Sequence, residues 1–436
     1  GQGGAVLDMV RKVSDKPVVA VIYSHHHYTG GAKVFVEEGG SEAVQVFGHP
    51  SVDRNLQATA GTLGPMQTRR TGIQLGLYLP DSGPDAAFLF PEPHFEDPAL
   101  NTSGHVAVNH PVENGVEVTI DGLKTRFYHA VADTRDSLIV HFPELDLVLH
   151  NCVATPMLFS LYTLRGDFYR DPSDAIASLD LIRRLKPTYL VGVHGLPFSD
   201  GEMADEFLSA HRDTYAFDYN QSIRAINKGM SPDEMVQQIK LPPHLADNPA
   251  IFPGYIDNEY IIRGFYRGIV GWFAEDTADL HPPTPADLGS VIVEGFGGVD
   301  KLIARASAAF EKKEYNLAAK LMSFALADDP DNQEARQLKA NALRAMAQAT
   351  RSGIQTRDFM LTEALHLEGK LDWKQMPKVV FFGNVTVESI LASPPEAYLK
   401  LLETKIDPSK SVDVDEVVTF TITDLNRSYG LAVRRG

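Results

Sequence analysis

The chain has 436 residues, 44% of them hydrophobic, enough for two or three globular domains. Its formal net charge of −17 argues against a nucleic-acid partner, which needs a basic face, and any anion site must be built locally. No run of apolar residues is long enough for a transmembrane helix, and the single cysteine, Cys152, excludes an intrachain disulfide.

The first elements in chain order are a helix over about residues 5–14, a turn at Ser14-Asp15-Lys16-Pro17, and the strand VVAVIY (18–23). GGAKVFVEEG then has helical character, and AAFLFP (86–91) reads as a strand. VEVTIDGLKTRFYHAV (116–131) places Asp121-Gly122 between two alternating runs, a hairpin signal. SLIVHFPELDLVLHN (137–151), a helix over 174–185 and a short strand in TYLVGVHG (188–195) follow. Hairpins mixed with strand–helix units argue for an α/β sandwich over a doubly wound sheet.

Beyond about residue 216 the character is helical. Ser231 is the expected N-cap of MSPDEMVQQIK, with Pro232 in the first turn and a stop at Pro242-Pro243. Three helical runs follow, separated at Lys313-Glu314 and at residues 328–332. With Ala308, Ala318, Ala325 and Tyr315 they resemble one tetratricopeptide-like pair and its neighbour. Such a unit cannot bury itself, so a further helix or a second subunit must cover it. The tail from 371 mixes the helix PPEAYLKLLETKI with the strand EVVTFTITDL.

Four strand ends carry chemistry. The strand VVAVIY runs into His25, His26 and His27, followed by Gly30-Gly31. In an extended segment His25 and His27 share one side while His26 points away. Asp133, Cys152 and His194 each follow an apolar strand-like run. Imidazole, carboxylate and thiolate together suit zinc. A turn cap is the bland alternative for Asp133, and a small buried hydrophobe for Cys152.

At this point the sequence resembles the metallo-β-lactamase-fold alkyl sulfatases. The resemblance rests on KVSDKPVVAVIYSHHH…GGAKVF, LYTLRGDFYRDPSDAIASLDLIRRLKP, VGVHGLP, AINKGMSPDEMVQQIKLPPHLA and RGFYRGIVGWFAEDTADLHP. It implies a metallo-β-lactamase-like αββα sandwich over 1–215, N-terminally incomplete. An all-α dimerisation domain over 216–370 and a partial α+β sterol-carrier-like domain over 371–436 would follow. It also implies a homodimer, one or two Zn2+ ions and an alkyl sulfate or similar amphiphilic anionic substrate.

The family's His-x-His-x-Asp-His run is matched here only by His25 and His27, which belong to the first metal. Asp133 falls at that metal's acidic ligand, Cys152 where the family has a glutamate, and His194 at a late histidine ligand of the second metal. The Asp-His pair of the second metal has no counterpart. Arg165 matches the arginine that contacts sulfate, with Arg170 just beyond it. After Arg69-Arg70, Thr71-Gly72-Ile73-Gln74-Leu75 stand where the family tends to carry tyrosines. The resemblance therefore implies metal-dependent hydrolysis of alkyl sulfate esters or a related anionic ester. A mononuclear hydrolase with altered chemistry, or a metal-depleted lipid- or anion-binding homologue, is the alternative.

Overall fold

The computed structural model describes residues 2–41, 43–60, 63–87, 104–274, 276–349, 353–373, 375 and 395–435. Helix α1 (Gln2–Arg11) leads into β1 (Ala20–Ile22), which pairs in parallel with β2 (Gln45–Gly48), itself parallel to β3 (His110–Pro111). A second sheet holds β4 (Glu117–Ile120), β5 (Leu123–His129), β6 (Leu138–Phe142), β7 (Leu147–His150) and β8 (Tyr189–Gly192) in sequence order. Its first three pairings are antiparallel. The β7–β8 pairing is parallel because a crossover containing α5 (Pro172–Leu185) intervenes.

Side-chain alternation decides the layers. Phe127, Leu138 and Val140 of the second sheet meet Phe47 of β2, with Ala20 and Ile22 of β1 packed alongside. The intervening residues point the other way: Ile139, Val148 and Leu190 pack on α5 and on α6 (Gly201–Ile226) through Leu179, Ile182, Leu208 and Tyr215. On the first sheet's outer face Val46 packs on Ala32 and Val36 of α2 (Ala32–Glu38) and on Val52 of α3 (Val52–Ala60). The result is helix, sheet, sheet, helix, as expected, and a slip of one residue in β6 would exchange both of its faces.

The 116–131 hairpin turns where expected, with positive φ at both Asp121 (46°) and Gly122 (85°), as a two-residue primed turn requires. Residues 88–91 of the AAFLFP strand lie outside the described residues, and Ala86-Ala87 form no strand.

Helix α4 (Gly64–Gln74) stands between the sandwich and the later helices. The expected boundary after residue 215 falls inside α6, a single helix capped by the Asp200 carboxylate, which accepts from the backbone N–H groups of Glu202 and Met203. Ser231 and Glu234 form a full capping box on α7 (Pro232–Gln238). Helices α8 (Pro243–Ala246) and α9 (Asn258–Ile269) pack back on α6. Then α10 (Pro285–Gly295), α11 (Val299–Glu311), α12 (Tyr315–Asp328), α13 (Gln333–Ala349) and α14 (Ile354–Leu367) follow, with α12 packed on α10, α11 and α13, and α14 packed on α13. Fully buried Ala306, Ala309, Ala318, Ala325 and Ala335 allow their close approach, so that α10 covers the repeat-like pair at α12 and α14 covers its neighbour α13. A helix over Pro395–Glu403 and an antiparallel pair, β9 (Asp415–Ile422) and β10 (Arg427–Arg434), complete the chain. Residues 376–394 of the expected sterol-carrier-like segment lie outside the described residues.

The α6–α9 contact buries a carboxyl. Asp218 is fully buried; its Oδ1 accepts from Asn258 Nδ2 at 2.9 Å, and its Oδ2 has no partner among the described residues. Burial pushes this group up to about 7. An unfolded aspartate titrates near 3.9, so the group's stabilising contribution is complete at acid pH and is lost as pH rises from about 4 to about 7. Asp218→Asn is therefore expected to match the parent in stability near pH 4 and exceed it at pH 8, by at most about 4 kcal/mol. Denaturant unfolding at the two pH values checks this, and an equal difference at both would clear Asp218.

Candidate metal and anion site

The chain leaves β1 in extended conformation as far as His25 (φ −175°), and His26–Tyr28 then wind into a single 3-10 turn. This corrects the expectation of an extended His25–His27 segment. With three residues per turn the rings cannot alternate simply. His25 and His27 still reach the same group: His25 Nε2 and His27 Nδ1 each lie 3.0 Å from Oδ2 of Asp133. His26 turns away and donates from its backbone N and from Nδ1 to the two oxygens of Asp136, each at 2.9 Å. Burial alone would raise the Asp136 carboxyl, but His26 and further donors hold it well below the usual carboxylate range. Asp133 and Asp136 lie on the β5–β6 loop, so this second carboxylate anchors the histidine turn while the first receives His25 and His27.

Cys152 lies just after β7, buried beside Val153 and Ala154. The candidate donor atoms of His25, Asp133 and Cys152 all lie within 4.8 Å of one another, and all three residues are buried. His25 Nε2 makes no aligned hydrogen bond, although Asp133 lies close to it, and Asp133 Oδ1 has no partner among the described residues. Buried polar atoms are rarely left so, and a cation would satisfy both. An imidazole, a carboxylate and a thiol form a donor set that suits zinc. These residues fit a metal.

The two neighbouring charges agree with this arrangement. Burial raises the Asp133 carboxyl, but His25 and His27 outweigh it and leave the group well below its ordinary value. Burial pushes the His27 imidazole down to about 4, so it is neutral at pH 7, and its Nδ1–H donates to Asp133.

The arginines are less open than expected. Arg165 is buried; its Nη1 donates to Gln67 Oε1 at 2.8 Å and its Nη2 to Asp167 Oδ2 at 2.5 Å. Arg170 shares that carboxylate oxygen at 3.1 Å, while its Nε donates to the backbone oxygen of Asp133 at 3.0 Å and its Nη1 to that of Ser160. Arg170 thus holds the backbone at Asp133. The Tyr28 ring stands edge-on to His25 with centroids 4.9 Å apart.

Residues 231–370 match the family model described as alkyl sulfatase dimerisation. A linear primary-alkylsulfatase of Pseudomonas sp. is 33% identical over 446 residues, which cover this whole chain and 83% of that protein. The chain belongs to the alkylsulfatase family. An (R)-specific secondary-alkylsulfatase of Pseudomonas sp. is 26% identical over 439 residues, 97% of this chain and 64% of that protein. The solved stereoselective inverting sec-alkylsulfatase of Pseudomonas sp. superposes with a TM-score of 0.82 at 24% identity, over 99% of this chain and 68% of its own, and so shares the fold.

Within this alkylsulfatase family member, the sequence-expected residues separate into groups. His25, Asp133 and Cys152 come together, and His27 stands against Asp133 but outside that trio. His194 lies apart from the trio, and its Nε2 pairs with the Tyr28 hydroxyl at 2.9 Å. There the chain turns at Gly195 (φ +91°), where a Cβ would come within 2.4 Å of Pro156. Sequence reasoning missed Asp136, Asp167, Gln67, Gln74 and Tyr255. Asp167 was within reach, since RGDFYRD sets one acid between two arginines. The glutamines carried no comparable signal.

Proposed function

We propose that this alkylsulfatase family member hydrolyses alkyl sulfate esters, using a single zinc ion held by His25, Asp133 and Cys152. The observation that carries the reading is the convergence of His25, Asp133 and Cys152, whose candidate donor atoms lie within 4.8 Å of one another, with Asp133 Oδ1 lacking a hydrogen-bond partner among the described residues. Such an ion supplies positive charge against developing negative charge and eases the deprotonation of water.

The chain's own residues do the rest. His27 donates to Asp133 and Arg170 donates to its backbone oxygen, so the carboxylate is ionised and fixed before substrate arrives. The guanidinium of Arg165, held by Gln67 and Asp167, presents a planar donor group to the sulfate oxygens. An apolar groove of about 210 Å³, lined by Leu164, Phe359, Met360, Tyr260, Thr356 and Arg70, opens beside the Arg165 loop and suits part of an alkyl chain. We assign the dimerisation domain to 216–370, with 1–215 before it and a sterol-carrier-like segment over 371–436. Exposed Trp272, Leu288 and Val291 in the segment matching the dimerisation family support a homodimer.

The test is release of inorganic sulfate from octyl and dodecyl sulfate by protein loaded with zinc, with metal content and solution mass measured on the same preparation. Expected are sulfate release, one zinc per chain and twice the chain mass. Absence of sulfate release after loading with zinc and with manganese would overturn the activity.

A further inference from the structure

We propose that Gln74 and Gln355 are positioning residues of the sulfate site, so that the segment matching the dimerisation family builds part of the hydrolytic centre. The inference rests on the role assigned above to Arg165.

The loop that carries Arg165 has no regular structure and is held by side chains. The single Thr163 hydroxyl proton lies between two acceptors, Gln74 Oε1 at 2.9 Å and Gln355 Oε1 at 3.3 Å. The next two backbone N–H groups are divided between the same two oxygens: Leu164 donates to Gln355 at 3.0 Å and Arg165 to Gln74 at 2.9 Å. Gln67 closes the far side, with its Nε2 donating to the Gly166 oxygen at 3.1 Å and its Oε1 accepting from Arg165. Gln67, Gln74 and Gln355 are 4%, 1% and 0% exposed, far below what is usual for glutamine. The Oε1 atoms of Gln74 and Gln355 each accept a backbone N–H and share the one Thr163 hydroxyl proton, which fixes the amide orientation. Gln74 is left to donate from Nε2 to the Tyr255 hydroxyl at 3.1 Å.

Two distant elements supply these oxygens. Gln74 ends α4, whereas Gln355 lies in the first turn of α14, inside the segment that matches the dimerisation family. The start of α14 is itself pinned: Ile354 N donates to Gly254 O at 3.0 Å, and Thr356 Oγ1 donates to Asp257 Oδ2 at 2.6 Å. Gly353 is required there, because a Cβ would come within 2.1 Å of the Tyr255 carbonyl carbon. A shift of α14 would therefore move the backbone before Arg165 and the Tyr255 loop together. The trio of His25, Asp133 and Cys152 touches this loop only indirectly, through Arg170, which donates to the Asp133 backbone oxygen and shares Asp167 with Arg165, so zinc content is measured beside KM to tell a disturbed loop from a disturbed trio.

The experiment is a double-mutant cycle on the zinc-loaded full chain with dodecyl sulfate, comparing parent, Gln355→Met, Arg165→Ala and the double variant. Methionine keeps the length of the side chain and removes the acceptor. Gln355→Met is expected to raise KM about tenfold, the size of one lost buried hydrogen bond, with zinc content unchanged and a much smaller effect on kcat. In the Arg165→Ala background it should add nothing, because the group it positions is gone. Thr362→Val, a change of a buried hydroxyl on the same helix with no partner among the described residues, should leave KM at the parent value. If Gln355→Met does not fold, Gln74→Met runs the same cycle through the Arg165 N–H.

A KM that rises in Arg165→Ala but not in either glutamine variant overturns this inference and leaves the sulfate site intact. Full additivity in the double variant does the same, since it means that the glutamine acts through something other than Arg165. An unchanged KM in Arg165→Ala overturns the sulfate site and this inference with it.

Discussion

Asp133→Asn is expected to leave the protein folded, remove its metal and lower alkyl sulfate hydrolysis by more than about 10²-fold, beyond the 10- to 100-fold typical of losing an outer-shell partner. The substitution is nearly isosteric, so the packing around a buried side chain is kept. What it removes is the negative charge that His25 and His27 share, together with one of two otherwise identical oxygens. Oδ2 lies 3.0 Å from both imidazoles, and Oδ1 has no hydrogen-bond partner among the described residues. An asparagine can present one oxygen to His27, but its amide nitrogen then occupies the Oδ1 position and is repelled by a cation. Elemental analysis of purified protein beside initial rates of sulfate release decides the matter. A variant with full metal content and parental rate would show that Asp133 merely caps its loop.

How much of this site could be read from the sequence depends on what each residue had to announce. His25, Asp133 and Cys152 were legible because each follows an apolar run, and strand ends in a layered α/β fold gather at one edge. Their grouping was read from residue type and strand-end position, not from spacing, since His25 lies more than a hundred residues from both Asp133 and Cys152. The 3-10 turn at His26–Tyr28 was hidden because alternation was assumed to continue past the strand. The hairpin at Asp121-Gly122 was readable from its turn residues, whereas β2 has four residues and β3 two, too short to show a period. Helix α4 was concealed for a different reason. Its buried residues include Gln67, Thr68, Thr71 and Gln74 beside Ile73, so the usual apolar stripe is largely polar, and two of these side chains, Gln67 and Gln74, hold the Arg165 loop.

Cys152→Ala is expected to reduce zinc affinity by at least about tenfold while costing no more than roughly 1–2 kcal/mol of stability. Two readings of this residue compete, and the structure gives each a foothold. The side chain is 2% exposed and belongs to the largest apolar cluster, beside Val153, Ala154 and Leu158, which is how an inert cysteine behaves. Its sulfur also lies within 4.8 Å of the candidate donor atoms of His25 and Asp133, which an apolar filler has no reason to approach. Alanine separates the two because it keeps the apolar character and removes the donor. If Cys152 only fills space, the loss of one buried sulfur appears as a small drop in the unfolding midpoint, and zinc titration of the variant overlays that of the parent. If it binds the ion, the titration shifts whereas unfolding of the metal-free protein hardly moves. The metal-free comparison matters, since any ion that binds only the native state adds its own binding energy to the apparent stability. Cys152→Ser sharpens the test. A hydroxyl fits the same space but is a harder and much weaker zinc donor than a thiolate, so serine should fall close to alanine in affinity. A serine variant that binds zinc as the parent does would exclude the sulfur as a ligand and leave the ion to His25, Asp133 and His27.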